Sequence, residues 1–432
     1  AIWPARRLTG EKSRPVLVQG WGQGQTMECL NRRQLAASLA AAWAIPSHAL
    51  AQNLPPALAA LMREGRYLPI YLAALKGARD SGLPPSQVAA MVGDEKLALL
   101  HAADAAAALD TFDDVRAEPA LGAIRRMATG RRVVILNESH SVSRHRTFLA
   151  AVARGLRKDG FTHLAAETFT NSPTSAPLVE ALVAGSQVDA RHGTYLMDPV
   201  FAEAVREALA LGYRMTPYEQ RRDQRSIGGM AEREQAQAEN LLIQIRQNPQ
   251  ARFLVYVGFS HLREAPDEQG NRWFAERLAA MLGENPLTVT QASTGSFAPL
   301  ASDSPLASQI LEKLKPRSSV VVSRKGHIIS AEHWAADLAV FHPEMPYRKG
   351  RPGWLVADPM RHPVRVRVPQ TLTQPFLVQA SHVTDASTAI PADQCIGSPA
   401  QRDYTLLLRR GAYRLQLETS DARHEIGRLE VR

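Results

Sequence analysis

Residues able to perform acid–base chemistry recur at the ends of short apolar segments in this 432-residue chain. Val133–Leu136 is one such segment, and Phe253–Val257 is another. The residues that close these segments include two imidazoles and three carboxylates, and no thiol. In chain order they are Asn137-Glu138-Ser139-His140, Glu167, Tyr218-Glu219 and Gly258-Phe259-Ser260-His261.

This set of side chains suits two ways of activating water. In the first, a bound divalent metal ion polarises the water. In the second, His140 acts as a general base without metal, and a carboxylate fixes its tautomer. The sequence leaves both alternatives open, beside the simpler interpretation that each residue is a solvated loop residue or a helix cap. The metal ligands in the first case would be Glu138, His140, Glu167 and His261.

The elements that must position these residues follow Gly130, where short β-branched runs alternate with longer helical stretches. This alternation predicts an α/β fold with a mainly parallel central sheet and flanking helices. Because the carboxyl ends of parallel strands meet at one edge, we expect the polar residues to converge there. The predicted strands are Val133–Asn137, His163–Glu167, Tyr213–Tyr218, Arg252–Gly258, Leu287–Thr290 and Val320–Ser323, and the predicted helices are Arg144–Lys158, Pro199–Leu211, Ile227–Gln247 and Arg272–Leu282.

Composition divides the rest of the chain. Residues 52–129 alternate Ala/Leu-rich stretches with Pro and Gly, which predicts an N-terminal helical segment. Residues 130–339 form the predicted α/β domain. Residues 340–432 begin with a Pro- and Gly-rich stretch, and their pattern predicts a small C-terminal antiparallel β unit. The expected strands of that unit are Val364–Val368, Phe376–Ala380, Tyr404–Arg409, Ala412–Glu418 and Arg428–Val431.

The predicted helix Ile227–Gln247 carries further candidate residues. Its spacing places Arg233, Gln237 and Asn240 on one face. Arg233 could bind the oxyanion or a carboxylate of a substrate. The alternative is a solvent-exposed face with local ion pairs.

Together, these motifs resemble the Tiki, ChaN-like and erythromycin-esterase-like superfamily over about residues 130–292. Members of that superfamily carry two G-x-x-H-type motifs on an α/β core. Asn137 stands where the first motif usually has Gly, and Asn adopts a positive φ at modest cost. The resemblance consists of Asn137-Glu138-Ser139-His140 after a strand, Glu167 at the end of the next strand, the pair Arg233-Glu234 on a later helix, and Gly258-Phe259-Ser260-His261.

The resemblance implies a different activity for each branch. The Tiki-like branch comprises metal-dependent proteases, the erythromycin-esterase branch hydrolyses a lactone with a His-activated water, and the ChaN-like branch binds haem. His145 follows His140 with a spacing similar to the ChaN-like branch, and it lies either behind the site or on the surface. The catalytic residues carried over are His140, Glu138, Glu167, His261 and Arg233, and the expected substrate-binding residues are Glu219, Glu234, Tyr218 and His145.

We therefore expect a hydrolase of an ester, lactone or amide whose substrate is a small molecule or a peptide. His140 would be the general base, Glu138 or Glu167 would orient it or bind a divalent metal, and His261 with Arg233 would stabilise the oxyanion. The alternative is a non-catalytic haem- or iron-binding protein. The candidates for the axial ligand of the haem iron are Tyr195, Tyr213 and Tyr218.

Charge and cysteine content narrow the classes of partner. The net charge is +9, and it is unevenly distributed along the chain. Residues 1–51 hold six basic and two acidic residues, and residues 340–432 hold 13 basic and 9 acidic residues. Residues 52–339 are nearly neutral, with 32 basic and 31 acidic residues, and lack an aromatic-interleaved basic stripe, which disfavours nucleic-acid binding. A third hypothesis is that the basic C-terminal unit contacts an anionic envelope polymer.

Cys29 lies in an expected signal that is removed, so Cys395 has no partner for an intramolecular disulfide.

Residues 27–51 have the order of a cleaved export signal. The pair Arg32-Arg33 precedes the apolar stretch Leu35–Ile45 and the small-residue site Ala49-Leu50-Ala51. The paired arginines resemble a twin-arginine signal, and the apolar stretch is shorter than the roughly 20 residues of a membrane span. We therefore expect a periplasmic or secreted protein without a stable membrane anchor. Residues 1–26 precede the first Met and are expected to be a non-native or mis-started segment.

Overall fold

The computed structural model describes residues 55–77, 82–99, 109–224, 229–291, 305–329, 335–369, 372 and 374–432. The upstream segment 1–26 and the expected export signal 27–51 lie outside these residues. In the described part, the α/β prediction is confirmed, with a large, mostly parallel sheet, flanking helices and small antiparallel sheets near the C-terminus. No helix in these ranges is long and apolar enough to cross a membrane.

The helices and strands are labelled in chain order. The helices are α1 (Pro56–Arg63), α2 (Leu68–Lys76), α3 (Pro85–Met91), α4 (Glu95–Ala98), α5 (Ala120–Met127), α6 (Ser143–Lys158), α7 (Ala176–Glu180), α8 (Pro199–Ala210), α9 (Met230–Gln247), α10 (Phe274–Leu282), α11 (Pro305–Leu314) and α12 (Gly353–Val356). The strands are β1 (Val115–Pro119), β2 (Val133–Glu138), β3 (His163–Ala166), β4 (Arg214–Thr216), β5 (Phe253–Gly258), β6 (Leu287–Thr290), β7 (Val320–Arg324), β8 (His327–Ile328), β9 (Leu338–Phe341), β10 (His362–Arg367), β11 (Phe376–His382), β12 (Asp393–Gly397), β13 (Asp403–Leu408), β14 (Gly411–Glu418) and β15 (Arg423–Val431).

The large sheet has the strand order β1-β7-β9-β6-β2-β5-β3-β4, and β8 pairs with β7. The strands from β9 to β4 in this order run parallel to one another. β7 is antiparallel to both β1 and β9, so the predicted strand Val320–Ser323 exists but does not continue the parallel arrangement. The carboxyl ends of β2, β5 and β3 are therefore adjacent at one edge of the sheet.

Helices cover both faces of this sheet. Val134 and Leu136 of β2 belong to the core cluster that includes residues of α5, α6 and α8. Val133 and Ile135 belong to a second cluster, with residues of α9 and α10. Successive side chains of a strand point to opposite faces, so β2 must be apolar at consecutive positions to fill both clusters.

Several elements differ from the sequence prediction. β1 lies inside the segment predicted to be helical, and its pairing with β7 is a long-range contact that local pattern does not reveal. β9 and β12 were not predicted, β4 is shorter than Tyr213–Tyr218, and α9 begins at Met230 rather than Ile227. These are mainly short or edge elements, whose conformation depends on their neighbours.

The N-terminal helices and the C-terminal β unit share a hydrophobic core. Leu377 of β11 and Leu68 of α2 belong to one core cluster. Glu418, at the end of β14, is fully buried and accepts hydrogen bonds from the backbone N–H groups of Tyr67, at 2.8 Å, and Leu68, at 2.9 Å. A carboxylate in this position satisfies free donors at the start of a helix and interacts favourably with its dipole. The two ends of the described chain therefore stabilise each other.

Replacing Glu418 with Ala should lower the free energy of unfolding by about 3 kcal/mol, because it leaves buried N–H donors without an acceptor. Urea denaturation measures this change. Glu430→Ala is the matched control, since that carboxylate is 61% exposed, and it should change stability by less than about 0.5 kcal/mol. Equal losses in the two variants would contradict the capping role of Glu418.

Candidate active site

The predicted site residues meet at the carboxyl edge of the parallel strands. Glu138 at the end of β2 is opposite Gly258 at the end of β5. Ala166, the last residue of β3, is opposite Tyr256 of β5. The polar residues that follow these strands are therefore close in space. Glu138 is hydrogen-bonded to His140. A second hydrogen-bonded group consists of Glu167, Glu219, Arg233 and His261.

His140 is held in one tautomer by Glu138. The Nδ1 atom of His140 lies 2.9 Å from Oε1 of Glu138. Because an ionised carboxylate can only accept, Nδ1 carries a proton, and in the neutral ring the lone pair is then on Nε2. Both side chains are buried, which isolates this pair from competing water. The arrangement is the one that a neutral histidine base requires.

Arg146 compensates the buried charge of Glu138. Its Nε and Nη2 atoms donate to the two carboxylate oxygens of Glu138, each at 2.8 Å, and its Nη1 donates to Asp198 at 2.6 Å. Burial raises the pKa of Glu138, but the charge and hydrogen bonds of Arg146 outweigh burial and lower it. Arg146 and Asp198 were not among the predicted site residues. The available signal was an arginine in the first turn of the helix that follows the His140 motif.

Aromatic contacts fix the plane of the His140 ring. Tyr195 stacks on it with ring centroids 4.0 Å apart and planes inclined by 16°. Phe259 meets the ring edge-on at 5.6 Å. A Cβ atom at Gly258 would lie 2.7 Å from Nε2 of His140 and 2.9 Å from Oε2 of Glu167. Glycine is therefore needed at position 258, since both polar atoms approach the same point.

Arg233 of α9 links two carboxylates. Its Nη2 donates to Oε1 of Glu167 at 2.8 Å, and its Nε donates to Oε1 of Glu219 at 3.0 Å. The other oxygen of Glu167 accepts from the N–H of Gly258 at 2.6 Å, and Gln237 donates to Glu219 at 2.9 Å. Arg233 is 2% exposed. This face of the helix therefore points into the protein, and the alternative of a solvent-exposed face is wrong.

His261 is a cation at neutral pH. Its Nδ1 atom lies 2.9 Å from Glu234, and its Nε2 lies 3.5 Å from Oε1 of Glu167. Burial lowers the pKa of His261, but the charges of Glu234 and Glu167 outweigh burial and raise it to about 10. Both ring nitrogens then carry protons, so Nε2 and Nη1 of Arg233, 3.3 Å apart, are two neighbouring donors. Such a pair can bind an anionic oxygen.

Asn137 connects the ends of three strands. Its Nδ2 donates to the carbonyl of Phe259 at 2.9 Å and to Oγ1 of Thr290 at 3.1 Å, and its Oδ1 accepts from the N–H of Gln291 at 2.8 Å. Asn137 belongs to β2 and does not have a positive φ. The expected turn geometry is therefore wrong at this position, where Asn supplies hydrogen bonds that Gly could not.

His145 lies behind the site and is fully buried. Its Nδ1 atom accepts from the backbone N–H of Ser139 at 3.0 Å. Burial lowers the pKa of His145 to about 3, so the ring is neutral. Neither the predicted substrate-binding role nor the surface alternative fits this position. His145 instead holds the loop that carries His140.

Two other residues predicted to bind substrate also lie behind the cleft. Glu234 is 1% exposed and accepts from the N–H of Phe274 as well as binding His261. Tyr218 is also buried, with its ring stacked on Phe274 and its hydroxyl 3.5 Å from a backbone oxygen of β5. Their positions indicate structural support, because neither reaches an open surface. Glu219, the fourth residue of that predicted group, lines the cleft.

A cleft of about 230 Å³ opens beside Glu167 and Arg233. Hydroxyl and amide side chains make up most of its lining. It could therefore hold a ligand next to Arg233, whose Nη1 contacts His261. The lining residues are Glu167, Thr168, Phe169, Thr170, Asn171, Ser172, Ser175, Thr194, Tyr195, Glu219, Gln220, Arg222 and Arg233.

The predicted metal ligands do not fit a metal ion. Across the described ranges, no group of three or more His, Cys, Asp or Glu residues is placed to hold one. Both oxygens of Glu138 accept from Arg146. Those of Glu167 accept from Arg233 and from a backbone N–H.

The tyrosines considered for haem ligation do not face one common site. Tyr213 precedes β4, and its hydroxyl donates to the carbonyl of Ala153 at 2.9 Å. Tyr218 follows the opposite end of the same strand and is buried against Phe274. Tyr195 lies against His140. Tyr213 and Tyr218 therefore occupy structural positions, and haem binding stays a prediction.

Replacing Gly258 with Ala should lower the free energy of unfolding by about 2 kcal/mol, because the added methyl group displaces His140 and Glu167. Urea denaturation tests this effect. Gly122→Ala provides the control, since a Cβ in that helix meets no atom within 4 Å and should not destabilise the protein. A Gly258→Ala variant as stable as the wild type would show that the close approach is absent.

The charged state of His261 should make stability depend on pH. Its folded pKa of about 10 exceeds an unfolded value of about 6.5. The contribution is therefore complete below about pH 6.5 and is lost as pH rises to about 10. We expect urea midpoints of the wild type to fall across that window and those of His261→Gln to fall less. The exposed His424→Gln variant should behave as the wild type, and parallel pH profiles for all three proteins would contradict the assignment.

Comparison with known proteins gives structural neighbours and no family. No family model matches the sequence, and no curated protein matches it. The type III effector HopBA1 is 15% identical, with a TM-score of 0.30 over 41% of this chain and 87% of that chain. A structure of bacterial protein toxins is 19% identical, with a TM-score of 0.29 over 40% of this chain and 36% of that one. RRSP, a MARTX toxin effector domain from Vibrio vulnificus CMCP6, is 18% identical, with a TM-score of 0.26 over 39% of this chain and 37% of that chain.

Proposed function

We propose that the protein is a hydrolase in which His140 activates water for attack on an ester, lactone or amide. The observation that carries the proposal is the Nδ1 contact of His140 with Glu138, because it leaves the Nε2 lone pair available. The cleft beside Arg233, and the contact of Arg233 with His261 behind it, support the same chemistry. The substrate would be a small molecule or a peptide.

In the proposed reaction, Nε2 of His140 takes a proton from water while the water oxygen bonds to the carbonyl carbon. Glu138 stabilises the imidazolium that forms, and Arg146 keeps Glu138 ionised. The tetrahedral intermediate then collapses by breaking the bond to the leaving oxygen or nitrogen. That atom receives the proton from Nε2, so His140 returns to its neutral state, and the products are an acid and an alcohol or amine.

Arg233 and His261 would stabilise the oxyanion. Their neighbouring donors lie 3.3 Å apart, and both groups are buried and positively charged at neutral pH. Donors that are fixed before the reaction stabilise developing negative charge without reorganisation. Glu167 would hold these two cations together, since it contacts both. Because like charges repel, the site needs Glu167 even though that residue does not touch the reacting atoms in this scheme.

The remaining alternatives stay predictions. A divalent metal would have to displace Arg146 or Arg233 from their carboxylates, and the three tyrosines give haem no shared site. Elemental analysis and an absorption spectrum of the purified protein distinguish both from metal-free hydrolysis. The superfamily resemblance, export through residues 27–51 with a periplasmic or secreted location, and binding of an anionic polymer by the C-terminal unit are likewise proposals from the sequence.

His140→Ala should lower kcat for para-nitrophenyl acetate by about 10²- to 10⁴-fold, since it removes the base. Release of para-nitrophenol measures the rate, and circular dichroism confirms that the variant is folded. His424→Ala is the control, because His424 is exposed on β15, and its kcat should match the wild type. Turnover by His140→Ala at the wild-type rate would overturn the proposed function.

A further inference from the structure

The charges that line the cleft are not all paired. Glu167 and Glu219 accept hydrogen bonds from Arg233, which is itself buried between them. Arg222 also lines the cleft, but its side chain makes no hydrogen bond or ion pair with any residue in the described ranges. Arg222 is exposed. A ligand in the cleft therefore meets one cation that forms no ion pair with a carboxylate of the described residues.

The carboxylate next to Arg222 in the chain is already engaged. Asp223 accepts from Nε of Arg221 at 3.2 Å and from Nη2 of Arg221 at 3.3 Å. The nearby Glu219 is held by Arg233 and Gln237. Since both acidic neighbours have cationic or amide partners, Arg222 is available to an anion from outside.

A polar network holds the turn that presents Arg222. Residues 222–224 form a single helical turn, and Gln224 and Asn240 exchange two side-chain hydrogen bonds of 2.9 Å. Asn240 also accepts from Arg221 at 3.0 Å and donates to the carbonyl of Glu219 at 3.0 Å. Asn240 is buried on α9, one face of which also carries Arg233. The helix that contributes the oxyanion donor therefore also positions the turn of Arg222.

The lining of the cleft combines hydrogen-bonding side chains with the rings of Phe169 and Tyr195. Side-chain hydroxyls come from Thr168, Thr170, Ser172 and Thr194, and no aliphatic side chain is among the lining residues. Hydroxyl groups of this kind donate to and accept from polar ligands.

We propose that the substrate is a hydrophilic ester or amide bearing a carboxylate, and that Arg222 binds this carboxylate while the scissile carbonyl lies at Arg233 and His261. The inference rests on the proposed function. A guanidinium pairs with a carboxylate through two parallel hydrogen bonds. A single arginine matches a single negative charge, whereas the pairs formed by Glu167 and Glu219 with Arg233 leave no second free cation for a dianionic phosphate in the described lining.

The test compares two esters that differ in one charge, para-nitrophenyl hydrogen succinate and its neutral methyl ester. The wild type should prefer the anionic ester, and Arg222→Ala should reduce the ratio of the two kcat/KM values by about fivefold. Higher salt should also reduce the ratio in the wild type. Arg214→Ala is the matched control, since Arg214 is exposed and begins β4, at the end opposite the cleft. It should keep the wild-type ratio.

Equilibrium binding separates this inference from the proposed hydrolysis. Succinamate should bind the wild type more tightly than neutral succinamide, and Arg222→Ala should remove the difference, whether or not turnover occurs. Equal affinities in the wild type, or a preference that survives in Arg222→Ala, would overturn the inference. If His140→Ala hydrolyses both succinate esters at the wild-type rate, the proposed function fails instead. Peptide C-termini and sugar acids both supply carboxylates, and titration with acetyl-alanyl-alanine and acetylated glucuronic acid shows which source binds more tightly.

Discussion

The buried ion pair between Glu138 and Arg146 is the interaction on which the candidate site depends. A lone carboxylate at the end of a central strand would be too costly to bury and would become protonated. Arg146 prevents this by binding both oxygens, and Asp198 accepts from the remaining nitrogen, Nη1, of the guanidinium. An ionised Glu138 then fixes the tautomer of His140. The chemistry proposed for His140 is thus a consequence of charge compensation beneath it.

A second group of charges obeys the same constraint. Glu167, Glu219 and Glu234 surround Arg233 and His261, so each buried charge touches one of opposite sign. The two cations remain close together because Glu167 contacts both of them. Such networks are costly to break, since removal of one member leaves the others unpaired. For the same reason Glu234, which lies behind the cleft, raises the pKa of His261.

Different parts of the fold were predictable to different degrees. β2 and β5 were predicted well because a strand buried on both faces must be apolar without alternation. β1 was missed, since three of its five residues are exposed and its conformation depends on β7. In the site, Glu138, His140, Glu167 and His261 could be found from their positions after strands. Arg146 could not, because an arginine at the start of a helix is commonly a surface residue.

The sequence by itself determined the alternation of strands and helices, and hence that polar residues would gather at one edge of a parallel sheet. Tertiary structure decided what those residues can do. It turned the face of α9 inward, surrounded His261 with carboxylates that favour its protonated form, and paired Glu138 and Glu167 with arginines. The physical reason is that secondary structure follows local periodicity, whereas protonation and pairing depend on burial and on charges contributed by distant segments.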